Sequence, residues 1–210
     1  FRANLVLPQW TSANMYMMHG SDIEICKSCK RPSCLHPIPC KNLRNDHSPL
    51  LDVYRAVDNL PGIKKSFIGS GVRYDLAMHK NTDASVNKAN REYIEELIAR
   101  HVSGRLKVAP EHTSDAVLNV MRKPNFALFN EFKVIFDNVN RKHGLNQQLI
   151  PYFISSHPGC HEADMAELAV ATKNLNFHLE QVQDFTPTPM TVSTEAYYTG
   201  VHPYTLQPVF

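Results

Sequence analysis

The order of elements in this 210-residue chain predicts an α/β fold built on a parallel sheet with right-handed crossovers. Two observations carry that expectation. Beyond residue 48, stretches with apolar residues at helical spacing alternate with short apolar runs of strand length, in the order helix, strand, helix, strand, helices, strand, helix, strand. Each short run ends in a polar turn, as strands do where a parallel sheet presents its carboxyl ends. About four such strands cannot close an eight-stranded barrel, but they can form part of one whose other strands lie upstream. A third observation sets the start of the chain apart. Cys26, Cys29, Cys34 and Cys40 fall within fifteen residues, in a loop stiffened by Pro32, Pro37 and Pro39. Phe1 stands first, without an initiator Met, which fits a chain cut from a longer protein.

Ser48-Pro49 reads as an N-cap with proline at the first helical position. Leu50, Leu51, Tyr54, Val57 and Leu60 then recur at helical spacing until Pro61-Gly62 stops the helix. Ser66 to Gly69 forms a short strand running into the glycine-broken turn Ser70-Gly71-Val72-Arg73-Tyr74-Asp75. A helix over about 91–102 turns Tyr93, Ile94, Leu97 and Ile98 inward. A strand from Arg105 to Ala109 ends in Pro110-Glu111-His112-Thr113, after which Thr113 or Ser114 caps a short helix carrying Val117, Leu118 and Met121, closed by Pro124. Residues 127–142 form a longer helix presenting Phe129, Phe132, Val134, Ile135, Phe136 and Val139, with Gly144 where a C-terminal cap belongs. Leu149 to Ser155 reads as a strand, and His157-Pro158-Gly159 as a turn. The helix that follows, over about 162–175, opens with Glu162 and Asp164, as the helix dipole favours. A last strand, His178 to Phe185, runs into Thr186-Pro187-Thr188-Pro189.

Hydrophobic residues make up 43% of the chain, which suits a globular core, and neither a signal peptide nor a long apolar stretch appears. No membrane role is expected, and a cytoplasmic location is. In a reducing compartment, five cysteines of which four are clustered point to a metal or iron-sulfur site rather than to two disulfides. The spacing C-x2-C-x4-C-x5-C leaves zinc and an auxiliary iron-sulfur cluster both open. A formal net charge of +2 gives no global pull toward nucleic acid or membrane. Locally, Lys27, Lys30, Arg31, Lys41 and Arg44 surround the cysteines and offset the charge of a tetrathiolate centre. The alternative use of that charge is a zinc-knuckle module that binds RNA.

The residues just after each strand are the candidates for chemistry. They are Ser70, Arg73 and Asp75; Glu111 and His112; Ser155, Ser156 and His157; Asp184, Thr186 and Thr188. Arg73 suits a carboxylate, and Glu111 suits the hydroxyl or ammonium donors of a zwitterionic or ribose-bearing ligand. Capping and turn formation explain part of this polarity. The run His157, Cys160, His161, Glu162 and Asp164 reads as a Pro-Gly turn and an acidic helix start rather than a metal site. Met15, Met17 and Met18 read as core, and Tyr197 and Tyr198 as packing residues. There is no phosphate loop and no nucleophile elbow.

Several of these segments, taken together and in order, resemble the YgiQ-type radical SAM proteins. They are Thr11-Ser12-Ala13-Asn14-Met15-Tyr16, the cysteine loop ending Pro39-Cys40-Lys41-Asn42-Leu43, Ser70-Gly71-Val72-Arg73-Tyr74-Asp75, Ala109-Pro110-Glu111-His112-Thr113 and Met121-Arg122-Lys123-Pro124. Pro151-Tyr152-Phe153-Ile154, His157-Pro158-Gly159 and Phe185-Thr186-Pro187-Thr188-Pro189-Met190 extend the likeness over nearly the whole chain.

The resemblance implies a partial (βα) TIM-type barrel, here about four parallel strands with flanking helices, preceded by a cysteine-rich loop. In that reading residues 1–20 are an N-terminal segment, 21–47 a metal-binding loop, 48–200 the C-terminal part of the barrel and 201–210 a tail. The resemblance further implies a [4Fe-4S] cluster that cleaves S-adenosylmethionine to start radical chemistry on an unknown substrate, with electrons from a cellular donor. By position, Glu111 resembles the residue that meets the ribose or amino group of S-adenosylmethionine. Phe185 and Thr186 resemble the last-strand edge beside adenine, and Arg73 becomes a candidate for the carboxylate. The cluster motif C-x3-C-x2-C does not occur in this sequence, and Leu7-Pro8-Gln9-Trp10 stands where a glycine-rich stretch belongs. Cluster ligands are therefore expected upstream, the chain alone is expected to be inactive, and Cys26, Cys29, Cys34 and Cys40 are a separate metal site.

Overall fold

The structure is a computed structural model that describes residues 3–7, 20–177 and 181–210. Most of the segment from Leu7 to Tyr16, together with Met17, Met18 and the stretch from His178 to Glu180, lies outside the described residues. The elements in chain order are β1 (Ala3–Leu7), α1 (Ile23–Lys27), α2 (Ser48–Asp58), β2 (Ile63–Ile68), α3 (Tyr74–Ala77), α4 (Ala84–Arg100) and β3 (Arg105–Glu111). There follow α5 (Asp115–Val120), α6 (Phe126–His143), β4 (Gln148–Ser155), α7 (Glu162–Asn174), β5 (Gln181–Asp184) and α8 (Val192–Thr199). The chain divides into two compact units: residues 1–108 with 131–149, and residues 109–130 with 150–210.

In the first unit β1 and β2 run parallel, and α2 and α4 pack on β2. The inner stripe of α4 is as its spacing dictates: Tyr93, Ile94, Leu97 and Ile98 are all buried. The helix starts seven residues before the expected Arg91, because the Asp83 side chain accepts the Ser85 N–H at 2.7 Å and caps it. On α2, Leu50, Leu51 and Tyr54 are buried. The helix stops at Asp58, so Leu60 lies beyond it and is exposed. Its N-cap is His47 and not Ser48; the capping acceptor is Asp46, whose carboxylate takes the Ser48 N–H at 2.9 Å. Gly62 then turns the chain at φ 87°, a region that glycine enters without strain.

Several buried polar groups in this unit pair across long stretches of sequence. His47 Nδ1 lies 2.7 Å from the Asn45 carbonyl and 3.0 Å from Asn90 Oδ1, so this nitrogen carries the proton. The His47 ring packs on Tyr93 with centroids 4.5 Å apart, and Asn45 Nδ2 donates to the Leu76 carbonyl at 2.8 Å. Asp58, the last residue of α2, accepts both the N–H and the hydroxyl of Ser66 on β2 at 3.0 and 2.6 Å.

In the second unit β4 and β5 pair in parallel from Tyr152 opposite Gln181 to Ser155 opposite Asp184. The strand order β3-β4-β5 gives a three-stranded parallel sheet. Its core is aromatic: Phe126 stacks on Phe129 at 5.2 Å and meets Phe153 at 6.4 Å, and Phe129 meets Phe177 at 5.8 Å.

The α/β class and the parallel pairing are as expected from the order of elements. The described strands form an open two-stranded and an open three-stranded sheet rather than one four-stranded run. Among the described residues, α1, α3 and α8 are helices that the apolar spacing did not signal, since each is short. Val134 faces solvent at 58% exposure, because it falls off the stripe defined by Phe129, Phe132 and Phe136. Tyr197 and Tyr198, expected to pack, meet each other edge to face at 5.2 Å but stay exposed at 46% and 76%.

Truncating the α4 stripe by Leu97→Ala removes a fully buried side chain and should cost about 2–5 kcal/mol. Val134→Ala at an exposed position should change stability by about 0.5 kcal/mol or less. Urea denaturation followed by circular dichroism reads both, and equal effects would sink the assignment of the inner face.

Candidate functional site

The second unit gathers most of the polar strand ends. At the close of β3, Pro110, Glu111, His112, Thr113 and Ser114 are consecutive and all buried. Glu111 sits at φ 69°, and the His112 N–H reaches back to the Pro110 carbonyl at 2.9 Å. A residue at positive φ closed by such a bond is the centre of a γ-turn in its strained form. Strain of this kind persists only where the surroundings enforce it, and it concentrates at functional sites. Glu111 Oε1 takes a salt bridge from Lys123 Nζ at 2.9 Å, while its Oε2 is buried with no hydrogen-bond partner.

The rest of this strand end is a chain of imidazoles and hydroxyls. Ser114 N–H donates to His112 Nδ1 at 2.9 Å, which places the proton of neutral His112 on Nε2, 3.6 Å from Cys160 Sγ. Burial holds His112 below the ordinary imidazole value, against a smaller upward pull from Asp164 and Glu167. Burial likewise pushes the Cys160 thiol up, with Asp164 adding to it. Asp164 is held low by the backbone N–H of His161, which it accepts at 2.9 Å, and by the Ser114 hydroxyl.

His157 donates from Nδ1 to the Pro158 carbonyl at 2.8 Å and accepts the Ser193 hydroxyl at Nε2, also at 2.8 Å. Burial lowers its pKa as well. Its ring meets the edge of Phe185 at 5.0 Å, and Phe185 in turn packs near Tyr197 at 5.7 Å. The Phe185 N–H continues the sheet by donating to the Ser155 carbonyl at 2.8 Å. Thr186 is exposed, with its hydroxyl 3.4 Å from the Asp184 carbonyl. The turn expected at 157–159 is present: Cys160 N–H closes on the His157 carbonyl at 2.8 Å over Gly159 at φ 82°, and α7 begins at Glu162.

Glu111, Phe185 and Thr186 thus belong to one unit. Arg73 belongs to the other, where its guanidinium grips Asp75 with Nε–Oδ1 and Nη2–Oδ2 distances of 2.8 and 2.6 Å. Cys26, Cys29, Cys34, Cys40 and Cys160 are all thiols, with no disulfide among them. Among the described residues, no three His, Cys, Asp or Glu side chains stand close enough to hold a metal ion. No helix among them is long and apolar enough to cross a membrane.

Sequence reasoning did not find the partners. Lys123 is twelve residues from Glu111, Cys160 forty-eight from His112, and Ser193 thirty-six from His157. Spacing along the chain carries no signal for pairs this far apart.

No family model matches the chain. Curated relatives do. A UPF0313 protein of Bacteroides thetaiotaomicron is 71% identical over 199 residues, which cover 95% of this chain and 32% of that protein. The UPF0313 protein of Porphyromonas gingivalis is 67% identical over 199 residues, 95% of this chain and 31% of the relative. UPF0313 protein YgiQ of Salmonella typhimurium is 43% identical over 192 residues, 91% of this chain and 25% of the relative. The chain belongs to the YgiQ-type UPF0313 family. It spans about a third of the length of the first two relatives, and none of these names states an activity.

The buried histidines of this UPF0313 chain give it a pH signature. His47, His112 and His157 all lie below the ordinary imidazole value of about 6.5 because burial disfavours the cation. Above that value both folded and unfolded forms are neutral and stability is full. Below it the unfolded chain takes up protons that the folded chain refuses, so stability falls until the lowered values are reached. Thermal unfolding should therefore move to lower temperature between pH 7.5 and 5.5, above the carboxylate range. A flat or rising midpoint over that window would contradict the burial of these rings.

Proposed function

We propose that this chain is part of a radical SAM enzyme, forming a segment of a partial (βα) TIM-type barrel that binds S-adenosylmethionine at the end of β3. The observation that carries the reading is Glu111: a buried carboxylate, fixed in a strained turn, whose Oε2 has no partner. An unpaired buried oxygen of this kind is costly unless a ligand donor completes it. The resemblance of the strand-end motifs to radical SAM proteins and the membership of the UPF0313 family support the same reading.

In this proposal Glu111 Oε2 accepts a hydrogen bond from a ribose hydroxyl or the ammonium group. Lys123 holds the other carboxylate oxygen in place. Phe185, braced by the His157 ring, offers an aromatic face for adenine, and Thr186 beside it offers an exposed hydroxyl. The donor set fits S-adenosylmethionine at these three positions. When bound with a [4Fe-4S] cluster whose ligands lie elsewhere in the polypeptide, that molecule supplies a 5′-deoxyadenosyl radical for hydrogen abstraction. The proposed setting is the cytoplasm, and the electrons come from a cellular donor.

The competing reading, a zinc-knuckle module that binds RNA, has no specific support in the geometry. Of the basic residues around the cysteines, Lys27 is paired with Glu24 at 2.6 Å and Arg31 donates to the Ile38 carbonyl.

The full polypeptide, reconstituted anaerobically with iron and sulfide and then reduced, should release 5′-deoxyadenosine from S-adenosylmethionine. Glu111→Gln should weaken S-adenosylmethionine binding about 10- to 100-fold, the loss expected for one charged hydrogen-bond partner. A wild-type protein with a verified cluster and no 5′-deoxyadenosine, or a variant that binds as tightly as wild type, would count against the proposal.

A further inference from the structure

The cysteine loop is left unexplained by the strand-end chemistry, and its structure poses a physical problem. None of the residues from Ser21 to Asn42 is buried, and Ile23, Ile25 and Ile38 are exposed at 45%, 52% and 72%. A segment with no apolar core has little to offset the entropy of ordering it. One side chain, Asn42, closes its base. Asn42 Oδ1 accepts the Asp22 N–H at 2.8 Å, Nδ2 donates to the Asp22 carbonyl at 2.8 Å, and the Asn42 carbonyl accepts the Ser21 N–H at 3.0 Å. The approach is so close that a Cβ on Gly20 would lie 2.1 Å from the Asn42 carbonyl oxygen, which is why glycine stands there.

The same clasp is aimed at a sulfur. Cys26 Sγ accepts the Gly20 N–H at 3.2 Å and Asn42 Nδ2 at 3.3 Å. The two N–H donors fix where this sulfur points, as the groups that orient a metal ligand do. Backbone bonds tie the other cysteines into the loop: Cys29 N–H to the Cys26 carbonyl at 3.2 Å, and Cys40 N–H to the Cys34 carbonyl at 2.7 Å.

We propose that this loop closes on a single zinc ion through Cys26, Cys29, Cys34 and Cys40. As the structure stands the four thiols are not gathered around one point, so closure and binding occur together, as in small zinc modules whose folding is metal-coupled. Four thiols lose four protons to give a tetrathiolate of net charge −2, and the protons pass to solvent. Lys30, Lys41 and Arg44 offset that charge. Zinc suits the site better than an iron-sulfur cluster because Cys29 is exposed and the other three are only half-buried. Zinc has no redox chemistry for water or oxygen to disturb. The role is structural: a closed loop fixes Leu43, Asn45 and His47, the first buried residues that follow it.

The full polypeptide purified without chelator should contain one zinc per chain by metal analysis, counted separately from any iron and needing neither reductant nor S-adenosylmethionine. Cobalt substitution should give the thiolate-to-cobalt charge-transfer and tetrahedral ligand-field bands of a four-sulfur site. Cys29→Ser and Cys40→Ser should lose the stoichiometric zinc. Asn42→Ala keeps all four thiols and should weaken zinc binding about 10- to 100-fold, the effect of removing a group that orients a ligand. Zinc-free protein that takes up neither zinc nor cobalt, a disulfide within the loop, or iron and sulfide beyond one [4Fe-4S] cluster would each overturn the assignment. Because none of these readouts involves Glu111, failure here is distinguishable from failure of the S-adenosylmethionine reading.

Discussion

Four polar residues buried in a row at the end of β3 set the terms for the second unit. Glu111, His112, Thr113 and Ser114 leave water together, and each polar atom taken from solvent without a partner costs on the order of 1–3 kcal/mol. Much of the surrounding structure answers that cost. Lys123 comes in from the segment after α5 to meet Glu111, the Ser114 N–H fixes the tautomer of His112, and Asp164 at the start of α7 binds the Ser114 hydroxyl. What is left over is informative. Thr113 Oγ1 and Glu111 Oε2 remain unpaired, the latter at the centre of a strained turn, an arrangement that costs stability and makes sense where a ligand completes it.

The first unit is built differently. Its apolar stripes on α2 and α4 face β2, and some of the polar groups buried among them pair with backbone carbonyls and one another, as His47 does with Asn45 and Asn90. Arg55 reaches from α2 to Glu92 and Glu96 on α4 at 2.6 and 3.0 Å. Being partly exposed, these contacts orient the helices more than they stabilise them. The two units therefore divide the work of the chain: helix-on-strand packing in one, an ordered polar strand end in the other.

The cysteine loop belongs to neither scheme. It buries nothing of its own, and the clasp at its base directs two N–H donors at Cys26. A tetrathiolate centre there would supply from metal-sulfur bonds what the loop cannot obtain from apolar packing.

Much of this was legible in the residues. Apolar spacing located α2, α4 and α6, turn chemistry placed Gly62, Gly144 and the 157–160 turn, and the order of elements indicated parallel strands, because these signals act over a few residues. Local chemistry also marked Glu111 as a polar strand end and the four cysteines as a cluster. Tertiary structure alone decided which groups meet: Lys123 with Glu111, Cys160 with His112, Ser193 with His157, and Asp75 with Arg73. It also exposed Val134 and Tyr198 and held Glu111 at positive φ. Those outcomes depend on which surfaces the folded sheet and helices bring together, and no periodicity within the chain encodes them.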